Sequence, residues 1–103
     1  MSVLLEMAMF PIGASESVKE DVAQVIMMID KSGVAYQLTA MGTLVETDTM
    51  DEALDIVEKA YAVLEKNNNR VYATVKFDIR KGTSNRLKTK IESIEKIIGK
   101  VVC

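Results

Sequence analysis

Two periods of apolar and polar positions alternate along the chain. From Val3 to Phe10 the period is loosely two, with Val3, Leu5, Met7 and Met9 on one side and Leu4, Glu6, Ala8 and Phe10 on the other. Both sides are mostly apolar, which predicts a central strand covered at least partly on each face. Pro11 lacks an amide hydrogen and, with Gly13, is expected to end it. The period then becomes helical, and Val18, Val22, Val25, Ile26 and Ile29 form one stripe. Ser17, with Glu20 three positions later, has capping-box spacing, in which hydroxyl and carboxylate each satisfy an amide at the helix start. Gly33 fits the left-handed position after the last turn, with Lys31 near the negative helix end.

The segment VAYQLTAMGTLVE predicts two short strands, Ala35 to Thr39 and Thr43 to Glu46, joined tightly around Met41 and Gly42, or else one longer strand bulged at the glycine. Thr49 and Glu52 repeat the capping-box spacing and start a second helix, whose inward stripe is expected to be Ala53, Leu54, Val57, Tyr61 and Leu64, with Asp55 and Lys59 paired across an outer turn. Asn67, Asn68 and Asn69 compete for backbone hydrogen bonds and end it. Val71 to Arg80 alternates most clearly, with Val71, Ala73, Val75, Phe77 and Ile79 on one face and a charged opposite face, as suits an edge strand. After a turn at Lys81 to Asn85, Leu87, Ile91, Ile94 and Ile98 mark a final helix.

The resulting order is β-α-β-β-α-β with one additional C-terminal helix, an α+β sandwich of the split βαβ kind in a single domain over residues 1–103. Two helices cover one face of a four-stranded sheet. The other face is a candidate ligand surface or subunit interface, and the final helix is expected to bury its stripe against its own sheet or a neighbouring copy.

Composition narrows the function. An apolar fraction of 49% supports a packed core, and a net charge of -2 gives the molecule no general attraction to nucleic acid or anionic lipid. An RNA-recognition domain shares the element order but needs more exposed aromatics than Phe10. No apolar run reaches the ~18 residues of a membrane span, and no basic segment precedes MSVLLEMAMF, so a cytoplasmic location is expected. The single cysteine, Cys103, makes no intrachain disulfide and fits a reducing compartment.

Histidine is absent, which excludes histidine-containing triads and removes the commonest neutral metal ligand. Asp48, Asp51, Glu52 and Asp55 sit where acids stabilise a helix start and have no EF-hand spacing. The glycines match neither a dinucleotide fingerprint nor a phosphate loop. No constellation selects a reaction, so the expectation is a non-enzymatic protein with no catalytic residues, metal or cofactor. Glu6, Lys76, Asp78 and Arg80, beside Phe10, place both charge signs next to apolar positions on one sheet face, as contacts for a small polar ligand or as an ion-pair network.

Three segments, FPIGASESVKEDVAQVI, SGVAYQLTAMGTLVE and NRVYATVKFDIR, extend through nearly the whole chain, and in order and spacing they resemble the thiamine-binding protein family. The resemblance implies a ferredoxin-like domain that associates through its sheet as a dimer or tetramer, and a ligand, thiamine or its hydroxymethylpyrimidine portion, that is bound rather than used as a cofactor. It further implies that Tyr36, Thr39, Met41, Gly42, Thr43 and Glu46 lie near the pocket, and that Ser17 matches the serine of the family's helix start. Glu20 stands where the family has a further serine, and Thr47 where a glycine often follows. In that reading Glu46 accepts hydrogen bonds from an aminopyrimidine, a threonine hydroxyl adds another, and an aromatic ring stacks on the ligand. Without the resemblance, Glu46 reads as a solvent-exposed strand end. The alternative function is a homo-oligomeric structural or regulatory interaction module using the same face.

Overall fold

The computed structural model describes residues 1–13 and 18–103. Its elements are β1 (Ser2–Pro11), α1 (Val18–Ser32), β2 (Ala35–Thr39), β3 (Gly42–Thr47), α2 (Met50–Glu65), β4 (Val71–Arg80) and α3 (Arg86–Ile98). The strands form one sheet in the order β2-β3-β1-β4 with every neighbouring pair antiparallel. This is the ferredoxin-like α+β arrangement, in which β1 is central and β4 an edge.

Alternation assigns the faces. Val3, Leu5, Met7 and Met9 of β1 point to the α1 and α2 side, where they are buried with Val45, Val25, Ile29, Ile56, Ala60 and Leu64. Burying each large aliphatic side chain there contributes roughly 1.5–3 kcal/mol. The even-numbered residues of β1 point the other way, towards α3. β1 ends at Pro11, as expected: Pro11 pairs with Val71 at the last rung, where its missing amide hydrogen does no harm, and Ile12 donates its amide to the Arg70 carbonyl at 3.0 Å.

The segment after Gly33 is a hairpin and not a bulged strand, and its two turn residues are Ala40 and Met41. Gly33 has φ +83°, as a left-handed helix terminus requires. Thr49 caps α2, its Oγ1 accepting the Glu52 amide at 3.2 Å, while Glu52 accepts the threonine hydroxyl at 2.9 Å instead of its backbone amide. The corresponding expectation for Ser17 lies outside the described residues. Asn68 closes the other end of α2, donating its amide to the Leu64 carbonyl at 2.8 Å and to the buried Asp21 at 3.2 Å.

The inward stripe of α2 differs from expectation. Ala53, Ile56, Ala60 and Leu64 are buried, whereas Leu54 and Tyr61 are each 47% exposed. The helix is turned so that two alanines face the sheet, which allows close approach, and the larger side chains flank the contact. In α1, Val18 is likewise exposed at the helix start.

α3 lies across the second face of the sheet, and none of its residues is fully buried. Leu87 and Ile91 are half-buried, but Ile94 and Ile98 of the same stripe are 44% and 70% exposed. No helix among the described residues is long and apolar enough to cross a membrane.

Candidate functional site

The hairpin turn is built by one side chain. Thr39 Oγ1 donates to the Gly42 carbonyl at 2.8 Å and accepts the amides of Gly42 at 3.1 Å and Met41 at 3.3 Å. Gly42 is needed for a different reason from turn geometry. Its φ is not positive, but a Cβ at this position would sit 3.0 Å from the Met7 carbonyl oxygen of the neighbouring strand. Close pairing of β3 with β1 therefore excludes a side chain there.

This turn forms one end of a cleft of about 350 Å³ that continues between the sheet and α1. Phe10, Thr39, Met41, Gly42 and Thr43 line it, with Val22 and Ile26 of α1 forming the opposite wall. Thr43 is buried on the helix side of the sheet, Met41 is 86% exposed at the turn, and Phe10 packs on Tyr72 with ring centroids 5.8 Å apart. The cleft is apolar with hydroxyl-bearing edges, and its volume falls in the ordinary range for small-molecule sites.

The other expected ligand residues lie elsewhere. Tyr36 is on the helix side, two positions before Leu38, and its hydroxyl donates to Asp30 at 2.7 Å. The hydrogen bond to Asp30, then burial and the aspartate charge, hold its pKa above the usual phenol value. Glu46 is four positions along β3 from Gly42, about 13 Å away. Its carboxylate accepts the Ser2 hydroxyl at 2.6 Å, the Arg86 amide at 2.9 Å and the Leu87 amide at 3.0 Å. Asn85, preceding α3, makes no side-chain capping bond, so Glu46 serves as the cap for a helix that begins 40 residues later. Burial alone would raise the Glu46 carboxyl, but the bonds from Ser2, Arg86 and Leu87 and the guanidinium charge outweigh it, so its pKa lies below the ordinary value. Ser17 lies outside the described residues.

The expected sheet-face residues do share one face. Register sets Glu6 opposite Lys76, Leu4 opposite Asp78, Ser2 opposite Arg80 and Phe10 opposite Tyr72. Lys76 pairs with Glu6 at 3.2 Å. Asp78 pairs at 3.0 Å with Arg86, a residue that the sequence reading did not single out. The Arg86 guanidinium is largely buried and also donates to the Ser2 and Asp78 carbonyls at 2.8 and 2.6 Å. The available signal was charge placement: basic residues with no acid in the first turn of α3 oppose the helix dipole unless a carboxylate elsewhere meets them. Between α3 and this face lies a second cleft, of about 450 Å³.

Among the described residues, no three acidic or cysteine side chains converge in a metal-binding group. The acids near the start of α2 have other partners: Glu52 closes the cap and Asp55 pairs with Lys59 at 2.8 Å.

Comparison with known proteins agrees with the fold and extends it. The chain is 35% identical over 98 residues to a UPF0045 protein of Methanothermobacter thermautotrophicus, covering 93% of this chain and 99% of that one. The UPF0045 protein Mb1933 of Mycobacterium bovis is 33% identical, with 95% and 96% covered. Among solved structures, the hypothetical protein MJ1052 of Methanocaldococcus jannaschii superposes with a TM-score of 0.80 at 29% identity, covering 93% of this chain and 98% of that one. A Thermotoga maritima protein assigned provisionally to thiamine biosynthesis or salvage shares the fold, with a TM-score of 0.74 at 21% identity and 87% and 97% covered. The profile described as thiamine-binding protein matches residues 5–95, and with relatives of this identity and coverage the chain belongs to that family.

Proposed function

We propose that the protein binds thiamine, or its hydroxymethylpyrimidine portion, without turning it over, and that the ligand's pyrimidine enters the cleft at the β2–β3 hairpin. The observation that carries this reading is the convergence of two separate segments on that cleft. FPIGASESVKEDVAQVI contributes Phe10, Val22 and Ile26, and SGVAYQLTAMGTLVE contributes Thr39, Met41, Gly42 and Thr43. Family membership supports a small-molecule ligand. A planar ring fits an apolar slot of this size, between Val22 and Ile26 of α1 and the sheet, with Thr43 offering a hydroxyl at its edge. In this reading Tyr36 and Glu46 support the fold around the site, since both already have partners of their own.

Isothermal titration of ligand-free protein with thiamine, and then with hydroxymethylpyrimidine, tests the proposal. Saturable binding at or below ~10 μM is expected, weakened roughly tenfold by Thr43→Val, which keeps the shape and removes the hydroxyl. Absence of saturable heat, or steady conversion of the ligand to a product, overturns it. Homo-oligomerisation belongs to the same reading, because the outer edge of β4 is unpaired among the described residues and Ile94 and Ile98 are exposed. Light scattering that shows only monomer at high concentration refutes that part. The exposed isoleucines also favour the second reading, a protein-interaction module, if no small ligand binds.

A further inference from the structure

β4 leaves a long strand edge open. It spans 10 residues, contains no proline, and pairs with β1 from Arg80 opposite Ser2 to Val71 opposite Pro11 without a bulge. Natural sheets blunt an open edge with a short strand, a bulge or a proline, and β2 at the other edge is indeed only 5 residues long. Ile12 donates its amide to the Arg70 carbonyl, so the even-numbered residues of β4 are the ones that exchange backbone bonds with β1. The amides and carbonyls of Val71, Ala73, Val75, Phe77 and Ile79 therefore point outward, to an edge that no strand covers among the described residues. Beside that edge the helices leave Val75 and Ile79 36% and 51% exposed.

The charges on β4 decide which strand this edge accepts. Two copies of one strand that meet antiparallel about a two-fold axis pair residues whose numbers have a fixed sum, and side chains keep to their own face only when that sum is even. The axis must then pass through a residue position. Centred on Lys76 or on Asp78 it sets like charges directly opposite, and centred on Val75 it sets Arg70 against Arg80. Centred on Phe77 it sets Lys76 against the second copy's Asp78, and Asp78 against that copy's Lys76, with Val75 against Ile79 on the other face. These charged residues occupy the pairs that exchange no backbone bonds, where side chains approach more closely. Within one copy Lys76 meets Glu6 at 3.2 Å and Asp78 meets Arg86 at 3.0 Å. Across two copies the row reads Glu6, Lys76, Asp78, Arg86, negative and positive in turn, so charges balanced inside each copy stay balanced at the junction.

We propose that the β4 edge is the contact between two copies of this chain, antiparallel and centred on Phe77, which joins their sheets into one continuous sheet. The inference rests on the homo-oligomerisation stated above and gives it an edge, a register and the residues that select both. The outward backbone groups and the Val75–Ile79 pairs hold the strands together, and Lys76 and Asp78 fix which residues meet. Nothing in it depends on what the hairpin cleft binds.

The test is hydrogen exchange of the full chain, read amide by amide by NMR, in the natural protein and in Val75→Pro. A proline at 75 removes one outward amide and none of the bonds to β1, so the single copy keeps its fold. At about 100 times the dissociation constant, the amides of Phe77 and Ile79 should exchange roughly 100-fold more slowly in the natural protein than in the variant. Light scattering should show a smaller species for the variant. Mixing natural copies that carry different isotope labels reads the register with no substitution at all: a contact between the α-hydrogens of Lys76 in one copy and Asp78 in the other is expected. An oligomer whose Phe77 and Ile79 amides exchange as fast as those of Val75→Pro, or one that lacks the Lys76–Asp78 contact, overturns the proposal and leaves homo-oligomerisation standing. A natural protein that stays monomeric at every concentration removes both.

Discussion

Replacing Glu46 by alanine should release α3 from the sheet more than it unfolds the rest of the domain. The carboxylate accepts three hydrogen bonds, from the Ser2 hydroxyl and the amides of Arg86 and Leu87, at 2.6 to 3.0 Å. Bonds to a charged acceptor are individually strong, but both helix amides can reach water once α3 undocks, so the appropriate scale is that of losing a helix cap, at the upper end: about 2 kcal/mol. α3 buries no residue completely, so little apolar packing compensates. Native-state hydrogen exchange is the assay. Amides in the body of α3 should exchange roughly 30-fold faster in Glu46→Ala, while those of β1 and α2 slow or quicken little. Charge gives a second reading of the same variant site. Because the Glu46 pKa is lowered on folding, its contribution is fully present above the ordinary value of 4.5 and is lost as pH falls through the lower native value. The advantage of the natural protein over Glu46→Gln should therefore be largest at neutral pH and vanish on acidification. Unchanged exchange in α3, or an advantage that grows in acid, refutes the capping role.

Two further substitutions examine the packing. Ile56→Ala opens a cavity under α2 and should cost about 2–5 kcal/mol in urea unfolding, whereas Tyr61→Ala, on the exposed flank, should change stability by about 0.5 kcal/mol or less. Equal effects would place the buried stripe of α2 wrongly. Gly42→Ala should destabilise by about 1–3 kcal/mol, because its new methyl meets the Met7 carbonyl at 3.0 Å and both strands must shift; a neutral result in thermal unfolding would remove the close-approach argument.

Local period carried most of the fold. Strict alternation from Val71 to Arg80 identified an edge strand, and the mixed faces of Val3 to Phe10 identified a central one, because strand geometry leaves few other ways to bury those side chains. The α2 stripe was misread for a definable reason. Leu54 and Tyr61 are larger than the alanines and lie at helical spacing, yet a helix laid closely on a sheet places small residues at the contact. In the candidate site, the hairpin residues Thr39, Met41, Gly42 and Thr43 come together because they are sequence neighbours. Val22 and Ile26 join them through the packing of α1 on the sheet, and that approach was not legible beforehand. Glu46 shows the limit most clearly. Its partner Arg86 is 40 positions away, and no local pattern states which carboxylate meets which helix start.

The Ser2–Glu46–Arg86 junction also sets an order of assembly. Arg86 reaches back 84 positions to Ser2, so two of the three partners leave the ribosome long before the third exists. α3 has weak local signals of its own: no acid in its first turn, a left-handed Asn85 before it and no side-chain cap from that residue. Its docking platform is completed only when β3 has paired with β1, which aligns Ser2 with Glu46. The last helix should therefore be the final piece to settle during synthesis and the first to detach under stress, while the four-stranded sheet beneath it stays intact.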